Sequence, residues 1–548
     1  MDTRIPTVRP TAPTPPPIVK REYTTRDVAT AWICFAVGYL FCRVVPLGDS
    51  PLGGMLFIWL LIAGVLVLLR LRQRRLSLLP AVALGVAAAM SASLILTANP
   101  TVRFFAYALS IIACLYALYA ATGNGLTGRL SDALPLDFLR ALFVLPSTSL
   151  EHIFHAVAAT RNKKGGGVLL KVLLGLAVTL IPTLVIASQL SYDADFAAVL
   201  DRLFTFEPLQ IFSHIGSLLF GIPIGMYLYS LYIATADREG KDKLTVSAYR
   251  HALTKWRIAP TATAVTAAVP ILALYALFFV TQWKYYLSAF GGSLPAGITY
   301  ADYAREGFFQ LCTVSVINLV IIAALTLLLR RQTAAPPRVL RILSLLFAIF
   351  TLILIATALS KMVLYIRIYG LTPKRVYATW GMAVLAAIFV LVIIKQFVRR
   401  LQLVALAMTV TVTLFTLLSL SGIDSLIASY NVDRYINGTL PTVDVQAFEE
   451  LGEAAVPAAV RLAEHLDRQQ GTEIAAVTPE TLIDKVGLYQ EVAEWLYQPT
   501  TDGNGLFAVT VPMLRADAAK KTAGITSFTE SQWEDYCLKR YGEVEWDA

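Results

Sequence analysis

Long apolar stretches recur along the first 420 positions of the 548-residue chain, and each holds eighteen or more largely uncharged residues. A helix of about 20 residues is long enough to cross the hydrocarbon core of a bilayer. Lipid offers the backbone no hydrogen-bond partner, so such stretches are expected to be helices. A transmembrane β-barrel would instead show segments of about 10 residues with alternating polarity. The sequence therefore predicts an all-α polytopic transmembrane helix bundle.

The apolar stretches define eleven predicted spans, within a range of ten to twelve. They cover residues 28–45, 52–69, 77–97, 104–121, 168–190, 211–235, 261–282, 307–329, 342–366, 376–394 and 401–420. Pro182, Pro223 and Pro270 lie inside three of them. Proline is tolerated in transmembrane helices, and broken helices form the binding sites of many transporters.

Composition supports the membrane class, since 57% of the residues are hydrophobic and 15% are charged. The net charge of +9 is unevenly distributed. Residues 421–548 carry nine Lys and Arg against twenty-one Asp and Glu, a net −12, which leaves +21 on the rest. The cations lie in short connections between spans, where membrane topology explains them better than nucleic-acid binding does. No nucleic-acid partner is predicted.

Orientation follows from the Lys and Arg residues in alternate connections, because positively charged loops stay in the cytoplasm. The N-terminal arm and the connections on its side hold twenty-seven, and the opposite connections hold eight. This asymmetry predicts a cytoplasmic N-terminus. Because the number of spans is odd, it also predicts an extracytoplasmic C-terminal domain.

Three regions are expected. Residues 1–27 form a disordered, proline-rich cytoplasmic arm, residues 28–420 the transmembrane domain, and residues 421–548 a small, mostly helical acidic domain. Amphipathic patterns near 136–159 and 194–206 predict helices at the membrane surface. In the C-terminal domain, Thr478 before Pro479 and Thr529 before Gln532 predict helix starts. The run Leu506–Leu514 is expected to be a strand.

Two short motifs do not indicate a binding site. The glycine pattern of residues 123–128 matches a dinucleotide-binding motif letter for letter, but it follows an apolar span rather than a strand. His152 and His155 share a helix face beside Glu151, but zinc usually takes three or four protein ligands and no Cys or further His is near, so they are interpreted as polar rim residues. No cofactor, metal or catalytic residue is predicted, and enzymatic activity is not favoured.

The polar residues of the eighth and ninth spans form the candidate site, because polar groups inside a membrane are costly and usually face a bundle interior or a cavity. The predicted cluster comprises Arg305, Glu306, Asn318, Lys361, Arg367, Lys374 and Arg375. An ion pair between Glu306 and Lys361 or Arg367 is one hypothesis. The alternative is that Lys361 extends to the external interface.

Arg367, Lys374 and Arg375 place cations in a loop that the charge rule predicts to be external. One interpretation is a site for an anionic ligand such as a phosphate or lipid headgroup. The other is a structural bridge to the acidic C-terminal domain, and this interpretation is favoured.

Ordered short motifs connect the chain to a known family. They are Tyr303-Ala-Arg-Glu-Gly-Phe308, Ile317-Asn318-Leu319, Tyr369-Gly-Leu-Thr372 with Arg375 and Trp380, and Ala428-Ser-Tyr-Asn431 with Arg434, followed by Leu451-Gly452 and Ala455-Val456-Pro457. With them, residues 140–460 resemble the bacterial membrane family labelled domain of unknown function 4173, which is related to the 4153 group. The resemblance implies a multi-pass protein of the bacterial cytoplasmic membrane and carries no activity.

Three functions remain open at this stage. The first is a transporter-like protein, or one that handles lipids or anions, with the candidate cluster lining a cavity. The second is a sensory or scaffolding protein whose acidic domain binds a protein or envelope partner through residues 440–548. The third, a membrane-embedded enzyme acting on lipid-linked substrates, has the least support because no acid/base pair is evident.

Overall fold

The computed structural model describes residues 23–45, 50–161, 208–237, 246–281, 308–330, 338–471, 473–483, 487–498 and 509–542. Within these ranges the chain is helical and forms no strand. Ten of the helices are long and apolar enough to cross a membrane. They confirm the all-α polytopic bundle. The predicted span at 168–190 lies outside the described residues.

The ten candidate spans are α1 (Thr25–Val44), α2 (Pro51–Leu71), α3 (Leu78–Leu96), α4 (Pro100–Ala121), α7 (Pro208–Asp237), α9 (Thr261–Thr281), α10 (Phe308–Leu328), α11 (Arg338–Tyr369), α12 (Pro373–Phe397) and α13 (Leu403–Leu420). Shorter helices are α5 (Leu134–Leu139), α6 (His152–Arg161) and α8 (Val246–Lys255). Pro223 and Pro270 lie inside continuous helices α7 and α9.

Helices α4 and α12 each begin with a capping residue followed by proline. Proline suits the first turn because the backbone amides there have no partner within the helix, so its missing N–H costs nothing. The Asn99 side chain accepts hydrogen bonds from the backbone amides of Thr101 and Val102 at the start of α4. The Thr372 side chain accepts one from the amide of Arg375 at the start of α12. These caps set where the chain turns back into the bundle.

The described residues form two compact units, and those within 1–39 and 149–233 make up the first. Here α1 and α7 pack through glycines. A side chain at Gly38 would clash with the carbonyl oxygen of Gly221, and one at Gly225 would meet Phe35 at 2.9 Å. Small residues allow such close approach of helices in membranes. In the same unit the Tyr23 hydroxyl hydrogen-bonds His152 at 2.7 Å.

The described residues within 40–148 and 234–548 form the second unit. In it α2, α3 and α4 pack together, α10, α11 and α12 form a second group, and α13 packs against α3 and α12. At one end, the Asp132 carboxylate accepts a hydrogen bond from the backbone amide of Val404, in the first turn of α13. The α4–α5 loop and the start of α13 therefore share that end of the bundle.

The predicted pair of helices near 136–159 corresponds to α5, a π-helical turn at Arg140–Val144, a helical turn at Leu145–Ser147, and α6. Leu139 and Phe143 are exposed, while Asp137 is buried and accepts hydrogen bonds from the Tyr119 hydroxyl and the Leu126 amide. Burial raises the pKa of Asp137, and these two bonds oppose the shift. A location at the membrane surface stays a prediction. The stretch near 194–206 lies outside the described residues.

Beyond α13 the chain forms a layer of helices, called the tail below. It comprises α14 (Ile423–Ile436), α15 (Gln446–Leu451), α16 (Val456–Gln470), α17 (Pro479–Ile483), α18 (Leu488–Tyr497), α19 (Val511–Thr522) and α20 (Glu530–Tyr541). One hydrophobic core joins them, and Leu371 and Val376 of the bundle pack against it.

The predicted helix starts in the tail are confirmed for α17 and α20. The Thr478 hydroxyl accepts from the Thr481 amide, and Thr529 and Gln532 form a capping box. The strand expected at Leu506–Leu514 is wrong from Val511 onward. Thr510 caps the amide of Met513 and Pro512 lies in the first turn, so this apolar run starts helix α19. Residues 501–508 lie outside the described ranges.

Candidate functional site

The predicted cluster is described in part. Arg305 and Glu306 lie outside the described residues, so their predicted ion pair stays a prediction. Asn318 is fully buried in α10, and Lys361 is 3% exposed in α11. Arg367 is exposed in the last turn of α11, and Lys374 and Arg375 lie in the first turn of α12. The described members thus occupy two places, the interior of the spans and the α11–α12 loop.

Asn318 connects three spans by side-chain hydrogen bonds. Its Oδ1 accepts from the Tyr275 hydroxyl of α9 at 2.7 Å, and its Nδ2 donates to Thr351 Oγ1 of α11 at 2.9 Å. The Thr351 hydroxyl in turn donates to the Phe347 carbonyl. Because both ends of the amide are used, the group fixes the packing of α9, α10 and α11.

Lys361 lies on the face of α11 that carries Ala358 and Tyr365, both of which are also buried. Its exposure of 3% places a cationic side chain inside the packed part of a span. Such a residue is costly in a membrane and usually marks a partner or a cavity.

The α11–α12 loop is held by Arg375. Its guanidinium donates to the carbonyls of Tyr369 and Gly370 at 2.9 and 2.6 Å, and it lies 4.1 Å from the centroid of the Tyr365 ring. The guanidinium therefore satisfies carbonyls at the end of α11 that the helix itself leaves free. Both hydrogen bonds come from Nη1 of Arg375.

Asn431 of α14 fastens the same loop to the tail. Its Oδ1 accepts from the Leu371 amide and its Nδ2 donates to the Leu371 carbonyl, both at 2.7 Å. Gly370 has a φ of +75°, and a Cβ there would lie 2.5 Å from Asn431 Oδ1. Glycine is thus required twice, by the backbone conformation and by the closeness of the amide.

Arg434 completes the arrangement, which we call the junction clamp: Gly370, Leu371, Arg375, Asn431 and Arg434. Its guanidinium donates to the carbonyls of Ile366 and Arg367 at 3.3 and 2.8 Å, and to the Thr439 carbonyl at 2.6 Å. Arg434 therefore links the end of α11 to the last turn of α14 and to the turn that follows it.

Ion pairs add to the clamp at its rim. Lys374 lies 2.6 Å from Glu450 of α15, and Arg461 lies 2.7 Å from Asp433. The Lys374 side chain is 82% exposed, so this pair contributes little to stability. The pairing nevertheless favours the structural interpretation of Lys374 and Arg375 over an anion site, since both cations contact groups of the same chain.

A second contact joins α14 to the bundle at its opposite end. Asp424 Oδ2 accepts a hydrogen bond from the Thr97 hydroxyl of the α3–α4 loop at 2.8 Å, and both residues are buried. At 1.5 Å per residue, Asp424 and Asn431 are about 10 Å apart along α14. Helix α14 is therefore a bridge between the α3–α4 loop and the α11–α12 loop.

Sequence reasoning found the clamp residues as family motifs but not as neighbours, and it missed Asp424, Thr97 and Asp132. One signal was available: Asp424 follows Ser421 and Gly422 directly after a span, where an acidic residue suits the first turn of a new helix. The glycine motif at 123–128 forms a turn in which the Leu126 amide donates to Asp137. No metal-binding group of three or more His, Cys, Asp or Glu occurs in the described parts of the chain.

A family model described as a domain of unknown function (DUF4153) matches residues 81–462. The chain belongs to this family. The match confirms the relation to the 4153 group that the short motifs indicated, and it starts earlier than the predicted 140–460; the narrower 4173 label stays a prediction. No curated protein and no solved structure matches the chain. The DUF4153 region contains the whole junction clamp and ends inside α16.

Proposed function

We propose that this DUF4153 protein is a membrane-anchored scaffold or sensor that holds its acidic tail in a fixed position for a partner. The supporting observation is the pair of hydrogen bonds between Asn431 and Leu371, which joins the tail to the spans. A domain on a flexible tether needs no such contact. The shared core, in which Leu371 and Val376 pack against tail residues, supports the same conclusion.

The partner is a protein or envelope component with a cationic surface. Residues 421–548 carry a net charge of −12, and complementary charge steers and selects partners. Glu473, Glu491 and Glu534 are exposed on the tail.

The location we propose is a bacterial cytoplasmic membrane, with the tail outside and the α4–α5 loop in the cytoplasm. Arg74, Arg129, Arg399 and Arg400 belong to connections at the end that holds the Asp132–Val404 contact, and these connections are rich in cations. The tail lies at the other end of α4, a helix of 22 residues and therefore about 33 Å long.

Two single-cysteine variants in a cysteine-free background test this orientation. Ser531→Cys is exposed on the tail, and Thr127→Cys is exposed in the α4–α5 loop. In spheroplasts, a membrane-impermeant maleimide should label the first directly and the second only after permeabilisation. The reverse pattern would place the tail in the cytoplasm and end this part of the proposal.

Partner binding is tested with the full-length chain by cross-linking in cells followed by purification. The triple substitution of Glu473, Glu491 and Glu534 to Gln should reduce recovery of the cross-linked partner. The matched control replaces the same three residues with Asp, which keeps the charge, and should recover the partner as the parent does. Equal recovery from all three proteins would contradict a charge-guided partner.

One observation favours a second candidate, a transporter-like protein that handles lipids or anions: Lys361 is buried inside a span. In proteoliposomes, Lys361→Met and Glu306→Gln should then abolish uptake or lipid flipping, while Lys374→Met should not. If neither substitution alters a measured flux, this candidate is removed and the scaffold proposal is unaffected.

A further inference from the structure

Asp424 carries a buried oxygen atom that its surroundings leave unsatisfied. The residue is 2% exposed, and its Oδ2 accepts from the Thr97 hydroxyl at 2.8 Å. Its Oδ1 is enclosed and makes no hydrogen bond to the rest of the protein. A buried, ionised carboxylate in this position loses its hydration without full compensation, which disfavours the charged form.

The Thr97 hydroxyl, the Ala98 and Asn99 amides and Arg103 surround the carboxylate. Arg103 of α4 is the nearby cation, and its Nε donates to the Thr97 carbonyl at 3.0 Å. The Asn99 amide donates to the Thr97 hydroxyl oxygen at 3.1 Å. Burial raises the pKa of Asp424, against the opposing effects of the Thr97 hydroxyl, the Ala98 and Asn99 amides and Arg103.

A second buried polar group lies in the same region. The Tyr377 hydroxyl of α12 is enclosed, interacts electrostatically with Asp424, and has the Asn99 side chain as a neighbour. A neutral carboxylic acid can donate one hydrogen bond, and a phenol oxygen can accept one. Proton uptake by Asp424 therefore replaces an unsatisfied buried acceptor with a donor, and the Tyr377 oxygen is an acceptor in the same region.

We propose that Asp424 is a proton-binding site that controls how firmly the tail is seated on the bundle. The charged and titratable groups that face it are Arg103 from α4 and Tyr377 from α12. A hydronium ion of the solvent gives its proton to Oδ1 and is left as water; an O–H bond forms, and the charge of the group changes from −1 to 0. No other reactant takes part. Ionisation reverses the step and draws water toward the carboxylate, which weakens the contact between α14 and the α3–α4 loop.

The direction of the pH dependence follows from the raised pKa. A group that binds its proton more tightly in the folded protein adds stability below its unfolded pKa, about 3.9 for Asp, and this contribution is lost as the pH rises through the folded value. The junction should therefore tighten on mild acidification, which is opposite to the effect of carboxylates held in ion pairs. This inference goes beyond the proposed scaffold function and does not depend on a partner.

The test uses the full-length protein in lipid nanodiscs. Infrared spectra should show a carbonyl band of a protonated carboxylic acid that disappears as the pH rises and is absent from Asp424→Asn. The matched control is Asp433→Asn on the same helix, since Asp433 is exposed and ion-paired and should leave the band unchanged. In parallel, hydrogen-exchange rates are measured for peptides that cover residues 97–103 and 423–432. The ratio of the rate in the wild type to the rate in Asp424→Asn should increase with pH.

A second variant keeps the test decisive if Asp424→Asn does not fold. Thr97→Val removes the hydroxyl donor that favours the charged form, so the band should shift in frequency and persist to higher pH. A band that survives Asp424→Asn, or a spectrum of the wild type and of Thr97→Val without any such band at mildly acidic pH, would overturn the proposal. Loss of the band without a change in exchange would leave a proton site but remove its control of the tail.

Discussion

The carboxylate of Asp132 lies 2.9 Å from the backbone nitrogen of Val404, a residue 272 positions further along the chain. A second hydrogen bond joins the same two segments, since the side-chain oxygen of Gln402 accepts from the backbone amide of Asp132. The first turn of α13 is thus capped by a side chain from a distant loop. Ordinary helix caps come from the residue just before the helix.

Removing this cap should loosen the start of α13. We expect Asp132→Ala to lower the free energy of unfolding by about 1 kcal/mol, as for other helix caps. Asp132→Asn keeps an acceptor oxygen and should retain most of the stability. Thermal unfolding in detergent, followed by tryptophan fluorescence, measures both. Equal losses in the two variants would mean that charge, rather than capping, is what matters.

A methyl group at Gly370 should damage the junction clamp. The residue combines a φ of +75° with the closeness of Asn431 Oδ1, at 2.5 Å from a built Cβ. Gly438 has a similar φ of +69° but open space around its Cβ position, which makes Gly438→Ala the matched control. Gly438→Ala should cost about 1 kcal/mol from backbone strain alone. Gly370→Ala should cost clearly more, and should increase hydrogen exchange at Leu371.

The amide of Asn318 should contribute to stability through its bonds to two neighbouring spans. Asn318→Leu removes the acceptor of the Tyr275 hydroxyl and the donor to Thr351, which keeps its bond to the Phe347 carbonyl. A cost of about 1 kcal/mol is expected from the loss of interhelical hydrogen bonds in a membrane. Ser315→Ala is the control, because its buried hydroxyl bonds only to Leu311 of its own helix. If the two substitutions lower the unfolding temperature equally, the hydrogen bonds between spans contribute no more to stability than a bond within one helix.

The crossing of α1 and α7 depends on Gly221. A Cβ there would lie 2.8 Å from the Tyr39 nitrogen, and backbone cannot give way as a flexible side chain can. Gly221→Ala should therefore separate the two helices at a cost of about 1–3 kcal/mol. Gly216 lies on the same helix with open space at its Cβ position, so Gly216→Ala should be nearly silent. Disulfide cross-linking of cysteine pairs across the crossing, before and after each change, reports the separation.

Much of the bundle was predictable because the bilayer restricts the choices. A span must be apolar, helical and about 20 residues long, and these requirements can be recognised in a short stretch of sequence. Helix starts at Thr478 and Thr529 were predictable for the same local reason. The strand expected at Leu506–Leu514 failed because an apolar run alone does not separate strand from helix, and the cap at Thr510 decides for the helix.

Contacts between distant segments were not predictable. Asn431 and Leu371 are 60 residues apart, and nothing in the sequence of either segment indicates that it contacts the other. Asp424 resembles an ordinary acidic residue in a first turn until Thr97 is placed against it, 327 positions away. For Lys374 and Arg375 the sequence favoured a bridge to the acidic domain over a ligand site, but it could not indicate the Glu450 carboxylate and the backbone carbonyls that they contact.

The bridge made by α14 has a mechanical consequence. Asp424 is bonded to the α3–α4 loop, and Asn431 and Arg434 are bonded to the end of α11 and the loop that follows it. A force applied to the tail is therefore not transmitted through α13 alone. The load spreads to the ends of α3, α4, α11 and α12. A force or a twist arriving at the tail would therefore reach five spans at once.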